Sequence, residues 1–167
     1  MPTAEMLAKE FEELFLEHYQ MVYRTAYSVT GSRQEAEDVL QSLFLKLLQL
    51  ESPPDRERSL KGYLYRASIN LSLNIVRARK RHDTEDVDSL AAPEPSHYAN
   101  ERQRKLMDAV SQLPPRAVEI LVLRYEHDYS DAEIAKMLGT SRGSIAVTLF
   151  RTRTRLKHLL RSSGDNS

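Results

Sequence analysis

The stretch YSDAEIAKMLGTSRGSIAVTLFRTRTRLKHLL, residues 129–160, determines the predicted fold. Ser130 followed three positions later by Glu133 is a capping box, which predicts the beginning of a helix. Gly139 stands where a helix C-terminus favours left-handed backbone, and Thr140 or Ser141 can cap a second helix soon after. Because so short a connection makes the two axes cross steeply, the stretch predicts a helix-turn-helix.

The second helix of this stretch has one apolar side and one cationic side. The positions that recur at helical period on the apolar side are Ile145, Leu149, Thr152, Leu156 and Leu159 or Leu160. Residues 134–164 hold seven Lys/Arg and no acid, although the whole chain has 24 residues of each sign. A basic face is often only a solvated face, but this imbalance favours DNA binding.

Composition excludes several classes of protein. The chain has 167 residues, enough for one or two small domains. We expect neither a membrane span nor a signal peptide, because apolar runs are short and the N-terminus is acidic. The absence of cysteine excludes disulfides and thiolate metal sites and fits a cytoplasmic location.

Charge is ordered in blocks along the chain. Residues 1–57 hold five Lys/Arg against eleven Asp/Glu, residues 58–82 hold seven Lys/Arg and no acid, and residues 83–101 hold six acids and no Lys/Arg. The last block also has few apolar residues and two prolines, which predicts a flexible linker that keeps two cationic helices apart. The prediction is an all-α fold of two small helical domains, residues 1–82 and 102–167.

Three helices are predicted in the first domain. The first ends at Gly31 and has a break near residues 18–21, the second begins with a capping box at Ser32 and Glu35, and the third covers residues 60–81. Apolar periodicity predicts the residues that face the core, which are Leu7, Phe11, Leu14, Phe15, His18, Val22 and Ala26 in the first helix, Ala36, Val39, Leu40, Leu43, Phe44, Leu47 and Leu48 in the second, and Leu64, Ala67 or Ser68, Leu71 and Ile75 in the third.

The other sides of the predicted third helix carry tyrosines interleaved with Arg and Asn, and its end is cationic. These residues are Tyr63, Tyr65, Arg66, Ile69, Asn70, Leu73, Asn74, Arg77, Arg79, Lys80 and Arg81. Stacking rings beside cations are typical of a surface that binds a nucleic-acid strand. Two alternatives remain open here, since cations also favour a helix C-terminus and Tyr often lies at a core edge.

Two further helices are predicted before the helix-turn-helix. The first covers residues 100–112, with Leu106, Met107 and Val110 as its apolar positions. The second begins at Pro115, which suits the first turn of a helix. Its predicted buried face is Val118, Leu121, Val122 and Tyr125.

Four segments in the same order resemble those of bacterial RNA polymerase sigma factors of the extracytoplasmic-function (ECF) group of the sigma-70 family. AEDVLQSLF at residues 36–44 resembles AEDxxQxxF, and YLYRASIN at residues 63–70 resembles WLxRIAxN. Leu113-Pro114, EILVLRY at residues 119–125 and the helix-turn-helix follow LP…REVxxLRY…YxEIAxxLGxSxGTV. Together these segments cover nearly the whole length of the chain.

The resemblance implies a promoter-specificity subunit that performs no chemistry and needs no cofactor, metal or small-molecule substrate. Its implied partners are the β′ clamp helices and β flap of core RNA polymerase, promoter DNA and an anti-sigma protein. The implied contacts are Asp38, Gln41 and Leu45, on one exposed strip, for core polymerase; Tyr63, Arg66 and Asn70 for the opened −10 strand; Arg77, Arg79, Lys80 and Arg81 for the duplex just upstream; and Arg142, Ser144, Val147, Arg151, Arg153 and Arg155, within residues 139–155, for the −35 element.

The chain departs from the family pattern at two places. Tyr63 stands where the family has Trp, so the stacking ring is smaller. Ala146, Val147 and Thr148 stand where polar and basic residues are usual. The residues predicted to face the groove are Gly143, Ala146, Val147, Phe150 and Arg151, and of these only Arg151 can contact guanine bidentately. We therefore predict that −35 binding depends mainly on phosphate contacts and DNA shape.

Two other functions fit parts of the pattern. One is a helix-turn-helix regulator with an N-terminal domain that senses a ligand or dimerises, and the other is a purely structural helical adaptor. An enzyme is disfavoured, because the five histidines form no metal-ligand pair and the five glycines form no phosphate loop. Association with core polymerase distinguishes the sigma factor from both.

Overall fold

The computed structural model describes residues 1, 3–51, 54, 60–85 and 101–164, with the backbone alone for residues 83–85. This described part is helical and contains no strand, which confirms the predicted all-α class. Its elements are α1 (Ala4–Thr30), α2 (Arg33–Gln49), α3 (Leu60–Glu85), α4 (Glu101–Ser111), α5 (Pro115–Leu121), a π-helical turn (Val122–Glu126), α6 (Asp131–Leu138) and α7 (Arg142–Gly164). Of the predicted linker, residues 83–85 continue α3, residue 101 begins α4, and residues 86–100 lie outside the described residues.

The predicted helix ends are confirmed at both glycines and both serines. Gly31 and Gly139 have positive φ of 67° and cap α1 and α6. Ser130 and Glu133 form the reciprocal capping box, and the Ser32 hydroxyl accepts from the Glu35 amide at 3.3 Å. These local signals therefore determine where α2 and α6 begin.

α1 is continuous, so the predicted break at residues 18–21 is wrong. That segment contains neither Gly nor Pro, and His18 and Val22 are both buried on the same side of the helix. The helical hydrogen-bond pattern therefore has no reason to stop there.

The first domain is a three-helix bundle of α1, α2 and α3. Its centre is a set of buried side chains from all three helices, namely Val22, Leu43, Phe44, Leu47, Leu60 and Leu64. The Phe11 and Phe15 rings pack edge-on against Phe44, with centroid distances of 6.1 and 5.0 Å. Leu7 and Leu48 are exposed, contrary to the prediction. Leu48 lies about 100° around α2 from the buried Leu47, outside the apolar stripe.

The second domain ends in the predicted helix-turn-helix of α6 and α7. Ile145, Leu149 and Thr152 are buried along α7, as its apolar period predicted. Tyr125 is exposed rather than buried, because a π-helical turn rotates the chain before it. In that turn the His127 amide donates to the Val122 carbonyl, five residues back, at 3.2 Å.

One apolar cluster joins the two domains, in addition to the first domain's own core. Tyr65, Ile69 and Leu73 of α3, placed on its non-core sides by the sequence, are at most 2% exposed. They pack in one cluster with residues of the second domain, which include Leu113, Val118, Ile120, Leu123 and Ile134. α3 therefore has two buried faces, one for each domain.

Candidate nucleic-acid interface

The −10 side of the predicted interface lies on α3, and part of it is open to solvent. Arg66, Asn70 and Arg81 are exposed on this helix. Tyr63 is partly buried and packs against the core of the first domain. Its ring is therefore fixed at the edge of that core, next to the exposed face of α3.

Arg77 and Lys80 are turned toward the second domain. Arg77 donates to the carbonyl oxygens of Ser111 and Leu113, at 3.4 and 3.1 Å. Lys80 Nζ lies 3.1 Å from the Asp108 carbonyl and 2.6 Å from the Ser111 hydroxyl. The two cations therefore bind the oxygen-rich end of α4, where helix carbonyls have no partner within the helix.

Arg79 has a different environment from its neighbours. Its Nη1 atom lies 2.7 Å from the Glu35 carboxylate, Nη2 lies 3.3 Å from the Thr30 carbonyl, and the side chain is only 16% exposed. These contacts tie α3 to the junction of α1 and α2. Arg79 therefore stabilises the packing within the first domain and does not lie on the open surface of α3.

Glu119 of α5 faces Arg66 across the domain interface. The Arg66 Nε atom lies 3.9 Å from Glu119 Oε1, and the Glu119 side chain is only 4% exposed. Burial raises the pKa of Glu119, and the Arg66 and Arg116 guanidinium groups only partly oppose that effect. Packing of the domains thus places an acid of the second domain against a predicted strand-binding cation.

An aromatic cluster joins the domains beside this pair. The Tyr65 hydroxyl lies 3.1 Å from the Tyr129 hydroxyl, and the Tyr65 ring packs on the His127 ring with centroids 4.9 Å apart. Burial, and then the hydrogen bond to Tyr129, raises the pKa of Tyr65, so its hydroxyl stays protonated. Tyr65 is therefore an interface residue here, and not part of an exposed stacking face.

His127 is held as the neutral imidazole. The Thr25 hydroxyl has one proton, which it donates to the Met21 carbonyl at 2.7 Å, so it accepts from His127 Nε2 at 2.8 Å. Burial, followed by the charges of Arg24 and Lys61, lowers the pKa of His127 to about 4, which the acid at Asp128 partly opposes. Arg24 also donates to the Glu126 carbonyl at 3.0 Å.

The −35 side of the predicted interface lies on α7 and is open. The predicted residues are all exposed, namely Arg142, Ser144, Val147, Arg151, Arg153 and Arg155. Phe150 is 67% exposed on the same helix, an unusual position for a large apolar ring. Arg153 donates to the Tyr125 hydroxyl at 2.7 Å, so the π-helical turn positions one cation of α7.

The third predicted surface, for core polymerase, is on α2, within the acidic block of residues 1–57. Asp38, Gln41 and Leu45 are all exposed, as the sequence predicted for a partner-binding strip. Leu48, three residues after Leu45, is also exposed and extends the strip by one turn. The sequence did not predict that Leu48 lies on this strip, because the apolar period of α2 assigned it to the core.

Comparison with known proteins identifies the family. A sigma-70 region 2 family model matches residues 14–82, and a sigma-70 region 4 model matches residues 103–156. The chain is 31% identical over 155 residues to the RNA polymerase sigma-E factor of Streptomyces coelicolor, covering 90% of this chain and 86% of the relative. The chain belongs to the sigma-70 family. Its relatives place it in the ECF group of sigma factors.

Two further relatives bear on the length and fold of this sigma factor. It is 29% identical over 158 residues to the ECF sigma factor SigE of Mycolicibacterium smegmatis, with 90% of this chain matched but only 61% of that longer protein. In the solved complex of the sigma factor RpoE with the anti-sigma factor NepR from Bartonella quintana, the sigma factor superposes with a TM-score of 0.55 at 24% identity. The superposition covers 92% of this chain and 98% of that one, which supports the two-domain helical fold.

The described part of the sigma factor contains no group of three His, Cys, Asp or Glu residues that could hold a metal ion. Among the same residues, no helix combines the length and apolarity that a membrane span requires.

The His127 environment predicts a pH-dependent stability of this sigma factor. Because the pKa is lowered in the folded chain, the unfolded chain binds more protons between about pH 6.5 and 4. The free energy of unfolding therefore contains the full contribution of the neutral His127 above pH 7, and this contribution is lost as the pH falls through that range. Because the ring is partly exposed, we expect the free energy of unfolding to fall by only about 1 kcal/mol between pH 7.5 and 5.

Urea unfolding at both pH values measures this loss. His127→Gln is the matched control, because its amide can still donate to Thr25 but does not titrate. The opposite shift of Glu119 is present in both proteins, so the difference between them isolates His127. An equal pH dependence of the two proteins would show that His127 is not held neutral.

Proposed function

We propose that this sigma factor is a promoter-specificity subunit that binds core RNA polymerase, recognises −10 and −35 elements and helps to open promoter DNA. The observation that carries the proposal is the pairing of two sigma-70 domains with an exposed, acid-free cationic helix, α7. Because its partners are polymerase and chromosomal DNA, the protein acts in the cytoplasm. It contributes by binding and not by catalysis.

In this proposal α3 captures the opened −10 strand. Arg66 and Asn70 lie exposed beside the fixed ring of Tyr63, which supports a surface where a base stacks and phosphates are held. Further along the helix lie Arg77, Lys80 and Arg81. In this proposal they bind phosphates of the duplex DNA just upstream of the −10 element. Arg79 is assigned to packing within the first domain, because Glu35 and Thr30 hold it there.

The α2 strip of Asp38, Gln41 and Leu45 binds the clamp helices of the polymerase β′ subunit, and the second domain binds the β flap. An exposed Leu between polar side chains suits a helix that packs on a partner helix. An anti-sigma protein is a further proposed partner. That proposal is based on the family and on the anti-sigma complex of RpoE.

Co-elution with purified core polymerase tests the proposal and separates it from the regulator. A sigma factor forms a stable complex with core that lacks any other sigma factor, and the complex initiates transcription from duplex DNA. A regulator would instead bind DNA alone and require a second sigma factor for transcription. Failure to join core would contradict the proposed function.

The −35 element is predicted to contribute less sequence information than the −10 element. Arg151 is the one groove-facing residue suited to a bidentate contact with guanine, whereas Val147 and Phe150 present apolar groups that can only touch thymine methyls. We expect −35 substitutions to lower transcription by roughly 2- to 5-fold each, and −10 substitutions by tenfold or more.

A promoter scan with base substitutions at both elements measures this difference. Replacing −35 thymines by deoxyuridine removes only the methyl groups. This replacement should lower the affinity of wild type by a small factor, and that of Phe150→Ala by less, because Val147 remains. Equal costs at the two elements would contradict the prediction.

A further inference from the structure

The exposed hydroxyl group of Tyr125 has a proton that it can donate to a ligand. The residue is 55% exposed, and Nη1 of Arg153 on α7 donates to the hydroxyl oxygen at 2.7 Å. A phenol that accepts through its lone pairs still has its own O–H to donate. No residue in the described part of the chain accepts that hydrogen bond, so the hydroxyl can donate to an acceptor that approaches from solvent.

The Tyr125 ring is held between two arginines. The π-helical turn Val122–Glu126 has more residues per turn than an α-helix, and this turns the Tyr125 side chain outward. The Arg124 guanidinium lies 6.0 Å from the centre of the ring, and Arg124 Nε lies 3.5 Å from a carboxylate oxygen of Asp131 in the first turn of α6. Because Arg153 bonds to the hydroxyl, the turn joins the beginning of α6 to the middle of α7.

Arg153 lies at the edge of the face of α7 that is proposed to enter the major groove. At about 100° per residue, it is about 60° around the helix from Phe150 and about 160° from Arg151. Side chains at the centre of such a face approach base edges, whereas a cation at its edge approaches the sugar-phosphate backbone beside the groove. The position of Arg153 therefore suits a contact with a phosphate.

The charges around this pair of side chains also favour an anion. Glu126 lies 3.4 Å from Arg24 Nη2, and Asp131 is bound by Arg124, so each of these two acids is paired with an arginine other than Arg153. Residues 134–164 add seven Lys/Arg and no acid. A phosphate that approaches Tyr125 and Arg153 therefore meets the positive field of α7.

We propose that Tyr125 and Arg153 together form a site for one phosphate of the DNA backbone beside the −35 element. The Tyr125 hydroxyl accepts from Arg153 and donates to one phosphate oxygen, while the other N–H groups of the guanidinium donate to the same phosphate. The ligand is a phosphodiester of duplex DNA, so the contact positions α7 on the duplex without reading a base. This inference rests on the proposed function and adds to it a DNA-binding residue that precedes the helix-turn-helix.

Tyr125→Phe removes only this one donor. We expect it to weaken the binding of the holoenzyme to a promoter fragment about tenfold, which is the effect of one hydrogen bond to a charged group. Arg153→Ala should weaken binding at least as much. Because both side chains bind the same phosphate, adding Tyr125→Phe to Arg153→Ala should weaken binding by much less than tenfold.

Fluorescence anisotropy of a labelled promoter fragment that the wild-type holoenzyme transcribes measures these affinities. Thermal unfolding of each free variant shows that it is folded. Equal affinities of Tyr125→Phe and wild type would overturn the inference, and so would independent effects that multiply in the double variant.

Methylphosphonate substitution of single phosphates tests whether the two residues share one of them, because it replaces a charged oxygen by a methyl group. We expect one phosphate beside the −35 element at which the substitution weakens binding of wild type about tenfold but changes binding of Tyr125→Phe and Arg153→Ala little. Arg155→Ala is the matched control. It removes an exposed cation about 160° around α7 from Arg153 and should retain the wild-type sensitivity at that phosphate.

Two different results would overturn the site and are distinguishable from each other. If Tyr125→Phe and Arg153→Ala lose sensitivity at different phosphates, or at none, the shared site is wrong although the protein is a sigma factor. If the wild-type holoenzyme transcribes no promoter fragment, the proposed function is wrong, and the site has no −35 duplex to bind.

Discussion

Leu45→Arg combined with Asp38→Arg is expected to lower promoter-specific transcription by roughly 100-fold, because it removes the centre of the proposed contact with core polymerase. Leu45 is 59% exposed, and Asp38 lies on the same strip of α2. Burying an unpaired guanidinium in a helix–helix contact costs far more than exposing it in the free protein. The loss should therefore appear in binding to core, with the thermal stability of the free factor unchanged.

Leu16→Arg combined with Glu12→Arg is the matched control for this variant. Leu16 of α1 is 60% exposed and Glu12 is exposed on the same helix, so a leucine and an acid are again replaced by arginine, on a helix with no proposed contact. Core affinity is measured by fluorescence anisotropy, and transcription by a run-off assay. If the α2 variant binds core as tightly as this α1 variant does, the assignment of the strip is wrong.

Tyr63→Ala is expected to reduce formation of the open promoter complex by roughly 10- to 100-fold, the range measured for the loss of one base-stacking ring. Tyr63→Phe keeps the ring and should remain close to wild type. Tyr63→Trp provides the larger ring that the family pattern has at this position and should match or exceed wild type. The order of activity follows ring area, because stacking depends on the overlap of the two faces.

Permanganate reactivity of unpaired thymines measures open-complex formation for the three variants. Tyr63 also packs on the core of the first domain, so thermal unfolding and core affinity must be measured for each of them. Equal permanganate reactivity of Tyr63→Ala and wild type, with both proteins folded and bound to core, would show that this ring does not hold a base.

The helices of this protein could be predicted from the sequence because their signals are local. Ser130 with Glu133 begins α6, Gly31 and Gly139 end two helices, and each signal needs only a few neighbouring residues. The π-helical turn has no comparable signal. It changes which side of the chain Tyr125 lies on, and periodicity therefore placed that ring in the core.

The sequence of α3 contains a signal for the packing of the two domains, but that signal was interpreted as a face that binds a DNA strand. Tyr65, Ile69 and Leu73 recur every four residues along α3, which is the spacing of a second buried stripe. Their position beside Arg66 and Asn70 favoured a strand-binding face instead. A helix that is apolar on two sides usually packs on two neighbours, and here the second neighbour is the other domain.

The contacts of individual cations could not be predicted, because their partners are far away in the sequence. Arg79 meets Glu35, 44 residues earlier, and Lys80 meets Ser111, 31 residues later. The described cations of α3 therefore have different environments: Arg79 packs within the first domain, Arg77 and Lys80 bind the second domain, and Arg66 and Arg81 are exposed. Only the three-dimensional structure separates these environments.

Mapping of transcription start sites tests whether this protein directs core polymerase to promoters. Purified core polymerase is supplied with this protein on DNA from the source genome, and the RNA 5′ ends are sequenced. We expect a discrete set of new start sites that share a −10 element and a weaker −35 element at a fixed spacing. Start sites identical to those of core polymerase alone would contradict this expectation.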